Sequence, residues 1–176
     1  MEIIKYRVND IIELNIEKTS SDGRGIAYVD GKICFVAGTL EGETVKAKIY
    51  TIHPSYITAG ATEIITPSPL RQYDYCKSSE KCGGCPLSHI TYNHQLFIKR
   101  AHVVDTLSRI GGIKNADTLV SDTLGMEKPE HYRNKMVFPI GKNGKTAVGG
   151  FYAPKSHDVI ELDSCYAGEP IATEIL

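Results

Sequence analysis

Three cysteines stand close together in the middle of the chain: Cys76, Cys82 and Cys85, with a Gly-Gly pair between the last two. A two-residue gap lets both sulfurs converge on one ion or cluster, and glycines let the backbone wrap closely around it. A centre with four ligands needs one more thiol, and only Cys34 and Cys165 remain. The spacing therefore predicts a metal centre built on four of the five cysteines.

The arrangement of three neighbouring thiols and one distant thiol favours an iron-sulfur cluster. Zinc sites usually have two pairs of closely spaced cysteines, and the second pair is missing here. Cys165 is the better fourth ligand, because Cys34 lies within a β pattern, where a cysteine is commonly a small buried hydrophobic residue. We therefore predict a 4Fe-4S cluster on Cys76, Cys82, Cys85 and Cys165. Zinc and a site without metal are the alternatives.

The composition limits the class of protein. The chain has 176 residues, with 20 Lys and Arg against 21 Asp and Glu, so binding to a nucleic acid would depend on a local basic patch. The N-terminus lacks the pattern of a signal peptide, and no apolar run approaches the roughly 20 residues of a membrane helix. We expect a cytoplasmic protein with no membrane partner, in which clustered thiols bind a metal rather than form disulfides.

An alternating β pattern runs from Asp10 to about Thr66. Its five apolar runs lie at residues 14–16, 26–29, 32–36, 45–49 and 57–65. Asp30-Gly31 between the second and third runs is a favoured two-residue hairpin turn. The pattern predicts a five-stranded, OB-like barrel as a first domain over residues 1–66. Such barrels often bind oligonucleotides, and a purely structural packing role is the alternative.

A second domain of α+β type is predicted over residues 67–176. The boundary is Pro67-Ser68-Pro69, because prolines cannot continue a strand ladder. Helical spacing predicts one helix from Thr91 to Ile110, packed behind the cysteine loop and ended by Gly111-Gly112. The predicted apolar face of this helix consists of Leu96, Val103, Leu107 and Ile110.

A small antiparallel sheet should follow the helix. We predict strands at residues 132–140, 146–152 and 157–162, with an Asn-Gly turn at 142–145 and with the last strand delivering Cys165. Residues 169–176 have the pattern of a helix that is just beginning. We therefore expect the chain to be a fragment of a longer protein.

Several segments together resemble the RNA m5U methyltransferases, specifically the 23S rRNA (uracil-5-)-methyltransferase family. The segments at 23–27, 34–36 and 40–43 resemble a TRAM domain. The Cys-Gly-Gly-Cys-Pro-Leu segment at 82–87 looks like the family's iron-sulfur loop, and the Tyr-Arg-Asn-Lys segment at 132–135 resembles its central-domain signature. Cys165 falls where the resemblance places the fourth cluster ligand.

The resemblance implies methyl transfer from S-adenosylmethionine to C5 of a uracil in RNA, with 23S rRNA as the expected partner. In that family a cysteine thiolate adds to C6 of the ring and thereby makes C5 nucleophilic. The catalytic cysteine, the base and the S-adenosylmethionine site belong to a C-terminal Rossmann-like domain. This chain has no glycine-rich motif of that kind, so we expect it to contain no catalytic residue and to be inactive alone.

What remains is the part that handles RNA. Basic residues expected to contact RNA phosphates are Arg24, Arg133, Lys135, Lys142 and Lys145. Alternatively, Arg133 and Lys135 are structural residues near Cys165. The cluster itself is expected to cross-link the loop to the strand end at Cys165, and sensing of redox state or iron is the alternative.

Three other classes of protein are open. One is a free-standing TRAM-type RNA-binding protein with an iron-sulfur or zinc cross-link. Another is a radical S-adenosylmethionine enzyme, which is disfavoured because its loop needs three residues between the first two cysteines, where this chain has five. The third is a zinc-ribbon interaction module.

Overall fold

The structure is a computed structural model that describes residues 5–73, 76–79, 81–154 and 156–176, without the side chain of Asn143. The chain divides into two compact units. The first unit contains the residues up to Arg71 together with Asn93–Thr123, and the second contains Gln72–Tyr92 and Leu124–Leu176. The predicted limits of the two domains, 1–66 and 67–176, stay a prediction.

The first unit is built on one mixed sheet. Its strands are β1 (Ile11–Asn15), β2 (Lys18–Thr19), β3 (Gly25–Val29), β4 (Lys32–Ala37), β5 (Thr44–Ile52) and β6 (Tyr56–Thr66). Their order is β1-β5-β6-β4-β3-β2, and only the β4–β6 pair is parallel. Alternate residues such as Val45, Ala47 and Ile49 are buried, because successive side chains of a strand point to opposite faces.

The β-rich character of the first domain is confirmed, but the prediction of a five-stranded barrel was wrong in two respects. The sheet has six strands, and no ladder in the described residues joins its edge strands β1 and β2. The chain between these two edges is only Ile16 and Glu17. Ile16 donates its N–H to the carbonyl of Glu43 (2.8 Å), and Glu17 donates to the carbonyl of Ile26 (2.9 Å). The sheet therefore curls strongly, with a short link in place of a closing ladder.

The predicted hairpin turn is confirmed. Val29 pairs with Lys32, and the two residues between them have positive φ angles, 47° at Asp30 and 75° at Gly31. Such angles at both central positions are those of a type I′ turn, whose twist matches that of the flanking strands. The local sequence thus sets the register of β3 against β4.

The predicted helix is confirmed as α1 (Tyr92–Arg109), although its buried face differs. The glycine stop is also confirmed, with a φ of 67° at Gly112. The buried residues are His94 and Ile98, whereas Val103 and Ile110 of the predicted face are exposed. From Asn93 onward the helix belongs to the unit that contains the sheet. A short helix that was not predicted, α2, spans Ala116–Leu119.

The second unit contains a three-stranded antiparallel sheet and a short helix. The strands β7 (Ile140–Asn143), β8 (Thr146–Tyr152) and β9 (Val159–Glu161) lie in that order, and α3 spans Pro170–Glu174. The turn between β7 and β8 is Gly144-Lys145, with a φ of 63° at the glycine. Strand β8 and the final helix were predicted, and β9 is shorter than the strand predicted at 157–162. Strand β7 shares only Ile140 with the strand predicted at 132–140.

The prediction of a continuous strand at residues 132–140 was wrong. Only Ile140 belongs to a strand, and Arg133 forms an isolated parallel bridge with Gly168. Backbone N–H groups in this segment donate to a distant part of the chain, from His131 to Tyr166 and from Arg133 to Ala167. The alternating sequence resembled a strand because its period does not reveal which segment of the chain supplies the hydrogen-bond partners. No helix of the described residues is long and apolar enough to cross a membrane.

Candidate functional site

The cysteine loop is held in place by tight turns and by one anchor to β8. Within the loop, Cys82 donates its N–H to the carbonyl of Ser78 (2.8 Å). Gly83 then donates to the carbonyl of Tyr152 at the end of β8 (3.1 Å). A Cβ added at Gly83 would lie 3.2 Å from that carbonyl oxygen, so a larger residue would press against the anchor. The Gly-Gly pair thus allows close approach of the loop to the sheet.

The segment that carries Cys165 is positioned by the Tyr-Arg-Asn-Lys region. His131 donates its N–H to the carbonyl of Tyr166 (2.7 Å), and Arg133 donates to that of Ala167 (2.9 Å). The Nδ1 of His131 also lies 2.7 Å from the carbonyl oxygen of Gly168. These bonds fix the backbone on the C-terminal side of Cys165. A segment that the sequence suggested for RNA therefore has a structural task as well.

The four predicted ligand cysteines line one cavity of the second unit. The lining includes Cys76, Cys82, Cys85 and Cys165, together with Arg133, Phe151 and Leu162. The fifth cysteine, Cys34, is fully buried in the first unit's core, and burial raises its pKa to about 11. The prediction that Cys34 is a buried hydrophobic residue of a strand is confirmed.

The four thiols are close enough to influence one another electrostatically. Burial raises the pKa of Cys82 and of Cys85. Cys76 and Cys165 raise both pKa values further, and Cys82 also raises that of Cys85. Two groups lower these pKa values. The N–H of Gly84 donates to Sγ of Cys82 (3.3 Å), and the Arg133 cation favours the ionised form of Cys85. Four thiolates together would need a positively charged group to offset their repulsion.

The donor set of this cavity fits a thiolate-bound centre. Among the described residues its lining contains four thiols and no carboxylate or imidazole, which is the set that soft metals and iron-sulfur clusters prefer. A Cβ at Gly84 would stand 3.4 Å from Sγ of Cys82, so glycine leaves space beside that sulfur. However, no group of three or more potential ligands in the described part of the chain has the arrangement of a metal site. The four ligands and the nature of the group stay a prediction.

The five predicted RNA-binding residues are divided between the two units. Arg24 lies in the first unit, where it pairs with Asp22 (2.7 Å) and covers the ring of Phe35. Arg133 lines the cysteine cavity, as the structural alternative anticipated in part. Lys135, Lys142 and Lys145 are exposed.

A second cavity brings the predicted RNA-binding residue Lys142 together with two lysines that were not predicted to bind RNA. Lys77 and Lys81 of the cysteine loop line it with Lys142 of the β7–β8 hairpin. Glu161 and Asp163 also line it, so three lysines and two carboxylates are found among the described lining residues. The position of each of these two lysines directly beside a cysteine of the loop is a signal that could have pointed to this cavity. The cysteine loop therefore presents its thiols to one cavity and two lysines to another.

Comparison with known proteins gives one domain match and several long alignments. The TRAM domain family matches residues 5–61. An uncharacterized RNA methyltransferase of Clostridium acetobutylicum is 36% identical over 175 residues, which cover 99% of this chain and 38% of that protein. A protein of the same description from Clostridium tetani is 41% identical over 174 residues, covering 98% and 37%. The chain therefore spans just over a third of the length of these relatives.

One solved structure shares the fold. It is the crystal structure of Pyrococcus abyssi tRNA (uracil-54, C5)-methyltransferase in complex with S-adenosyl-L-homocysteine. The TM-score is 0.60 at 20% sequence identity, and the match covers 92% of this chain and 34% of that one. At this level of identity the similarity establishes the fold alone.

Proposed function

Because the chain belongs to the TRAM-containing RNA m5U methyltransferase family, we propose that it is the RNA-binding, cluster-bearing part of an RNA uracil-C5 methyltransferase. The observation that carries this proposal is the alignment of nearly the whole chain with bacterial RNA methyltransferases, beginning with the TRAM domain. The solved relative that shares the fold acts on uracil in tRNA and was crystallised with S-adenosyl-L-homocysteine. We propose rRNA as the substrate of this protein and S-adenosylmethionine as the methyl donor.

Methyl transfer itself is assigned to residues outside this chain. The reaction needs a nucleophile at C6 of the uracil, a base for the C5 proton and a site for the methyl donor. Most of the length of the relatives lies beyond the aligned part, which leaves room for these groups. The role of this chain is then to bind RNA and to hold the target in place, in the cytoplasm.

The cysteine cavity is proposed to hold a 4Fe-4S cluster on Cys76, Cys82, Cys85 and Cys165. A bound cluster would supply positively charged iron to offset the thiolates and would cross-link the loop to the segment held by His131 and Arg133. Methylation by a cysteine nucleophile needs no electron transfer, so a structural role is the simpler one. Zinc is the alternative occupant.

The second cavity, which Lys77, Lys81 and Lys142 line and which we call the lysine cavity, is proposed to bind RNA phosphates. Lys77, Lys81 and Lys142 face one space, and lysines bind phosphate as compact point charges. Because two of the three lysines sit beside cluster ligands, the cluster would also fix their positions. This gives the proposed cross-link a role in RNA binding.

The test is RNA binding by the anaerobically purified chain, measured by fluorescence anisotropy with a labelled fragment of 23S rRNA at several salt concentrations. The double variant Lys77→Gln/Lys81→Gln should bind about tenfold more weakly, and the slope of log affinity against log salt should fall by up to about two. The control Lys114→Gln/Lys128→Gln removes two exposed lysines outside the cavity and should bind like the wild type.

Two outcomes would contradict parts of the proposal. If the wild type binds no RNA, the proposed RNA-binding role is wrong. If unlabelled tRNA competes better than unlabelled 23S rRNA, the class of RNA is wrong while the role in binding stands.

A further inference from the structure

The outer face of the first unit's sheet carries a series of aromatic rings in contact with one another. Cζ of Arg24 stands 4.5 Å from the centre of the Phe35 ring. The Phe35 ring lies edge-on to Tyr56 with 6.1 Å between centroids, and Tyr56 stacks on His53 at 4.3 Å. We call these four residues the aromatic row. It runs across the neighbouring strands β4 and β6.

The aromatic row is not part of the hydrophobic core. On β4 the neighbours of Phe35 are Cys34 and Val36, both 0% exposed and on the opposite face. On β6 the next residue after Tyr56 is Ile57, which is also buried in the core. Because side chains alternate between the faces of a strand, the rings of the row point away from the core.

Two further tyrosines widen this face. Tyr28 is 52% exposed and pairs across the ladder with Ile33, which in turn pairs with Tyr56. Tyr50 is 48% exposed and lies over Gly60, where an added Cβ would stand 2.7 Å from its ring carbons. The glycine therefore lets this ring lie flat against β6. The rings are spread over four adjacent strands, half-buried at Phe35 and Tyr56 and exposed at Tyr28 and Tyr50. Aromatic surface of this kind often marks a binding site.

The chemistry of this face suits unpaired nucleobases. Every base has a π face, so a series of aromatic side chains can stack with bases of any sequence. Lys48 beside Gly60 in the ladder supplies positive charge for the phosphates between the bases. The guanidinium of Arg24 lies at one end of the row, where it also pairs with Asp22 (2.7 Å). A base-paired duplex would not suit the face, because its bases are stacked on one another and present only their edges.

We propose that the aromatic row of the first unit is a stacking site for single-stranded RNA. The inference rests on the proposed RNA-binding function and adds to it a place and a form of RNA. It assigns the unpaired nucleotides to the sheet of the first unit and leaves the lysine cavity to bind phosphates in the second.

The absence of tryptophan from the chain allows a direct test. The variant Phe35→Trp places the only tryptophan within the row, and its fluorescence should be quenched when a base stacks on it. Titration with a single-stranded oligouridylate should give saturable quenching, whereas a fully paired duplex at the same nucleotide concentration should give little. The control Tyr73→Trp puts the tryptophan at an exposed site of the other unit and should show no comparable quenching.

A second measurement tests the energetic contribution of the row. Phe35→Leu/Tyr56→Leu keeps apolar volume but removes the rings, and it should weaken binding to oligouridylate about tenfold or more. The salt slope should stay that of the wild type, since stacking releases no counterions. Tyr73→Leu is the matched control, and its affinity should be unchanged.

The outcomes distinguish a failure of the proposed function from a failure of the stacking site. If the wild type binds no RNA at all, the proposed function fails and this site fails with it. If the wild type binds RNA but Phe35→Trp is not quenched, or if the folded double leucine variant binds as tightly as the wild type, only the stacking site is overturned. Should the leucine variant not fold, the quenching of Phe35→Trp decides alone.

Discussion

The two units of this protein are stabilised in different ways. Most buried hydrophobic side chains of the described residues lie in the first unit, where eleven residues form one continuous core cluster. The second unit has only four among its described residues: Ile90, Val148, Leu162 and Ala167. In the second unit a cavity lined by four thiols takes up part of the interior. The first unit can therefore fold on apolar burial, whereas the second has little apolar burial of its own.

This difference suggests a division of roles. A unit with a small apolar core needs another source of stability, and a bound cluster couples its own binding to folding. The first unit instead carries a buried ion pair: Glu43 is 0% exposed and accepts two hydrogen bonds from Arg71. We expect loss of the cluster to unfold the second unit alone, and loss of the ion pair to weaken the first.

Replacement of one thiol should have the largest effect. Cys165→Ser is expected to lose iron and sulfide and to unfold the second unit, because structural metal centres contribute on the order of 10 kcal/mol to folding. Hydrogen exchange should show loss of protection in β7, β8 and β9 while β3 to β6 stay protected. Anaerobic analysis of iron and sulfide, with a visible spectrum, gives the cluster content.

The fifth cysteine provides the control for that experiment. Cys34→Ala should leave the metal content unchanged and should cost the first unit about 1 kcal/mol through the small cavity it creates. Full iron content in Cys165→Ser, or loss of iron in Cys34→Ala, would contradict the assignment of the ligands. One zinc per chain without visible absorption would indicate a zinc site in place of the iron-sulfur cluster.

Removal of the buried arginine should have the next largest effect. Arg71→Ala leaves the carboxylate of Glu43 buried without its cation, which typically costs about 3–5 kcal/mol. Urea denaturation would measure this loss of stability, and hydrogen exchange in β5 and β6 would show that it occurs in the first unit. The control Arg109→Ala breaks the exposed pair with Asp105 on α1 and should cost only about 0.3–0.5 kcal/mol. Equal losses in the two variants would show that the first unit does not depend on its buried pair.

Acid should lower the stability of the first unit by less than the replacement of Arg71 does. Burial acts to raise the pKa of Glu43, but hydrogen bonds from Arg71 and from the backbone N–H groups of Leu40 and Ser68 lower it overall from 4.5. The ionised carboxylate therefore stabilises the folded state at every pH above about 4.5. This contribution is lost as the pH falls from there through the lowered pKa, by at most about 1.4 kcal/mol per pH unit. Urea denaturation between pH 7 and pH 3 measures it.

The matched variant for the acid experiment is Glu43→Gln. It has no carboxylate to protonate, so its stability should be lower at neutral pH and should change less between pH 5 and pH 3. A variant with the same acid dependence as the wild type would mean that other carboxylates cause the loss.

The sequence by itself determined the features that depend on neighbouring residues. Alternating apolar residues defined β3 to β6, Asp30-Gly31 defined a hairpin, and Gly111-Gly112 defined the end of α1. The separation of Cys34 from the other four cysteines also followed from the sequence, because a strand pattern surrounds it. Local patterns are informative here because the period of a strand or helix and the φ angles of a turn depend on only a few adjacent residues.

Only the tertiary structure decided the features that depend on distant partners. The two-residue strand β2 has no pattern of its own and exists through its pairing with β3. The segment that begins at His131 does not join the three-stranded sheet there, because the N–H groups of His131 and Arg133 bond to residues 166 and 167. The meeting of Phe35 with Tyr56 required the parallel pairing of β4 with β6. Such contacts join residues far apart in the chain, so their choice depends on the packing of the whole unit.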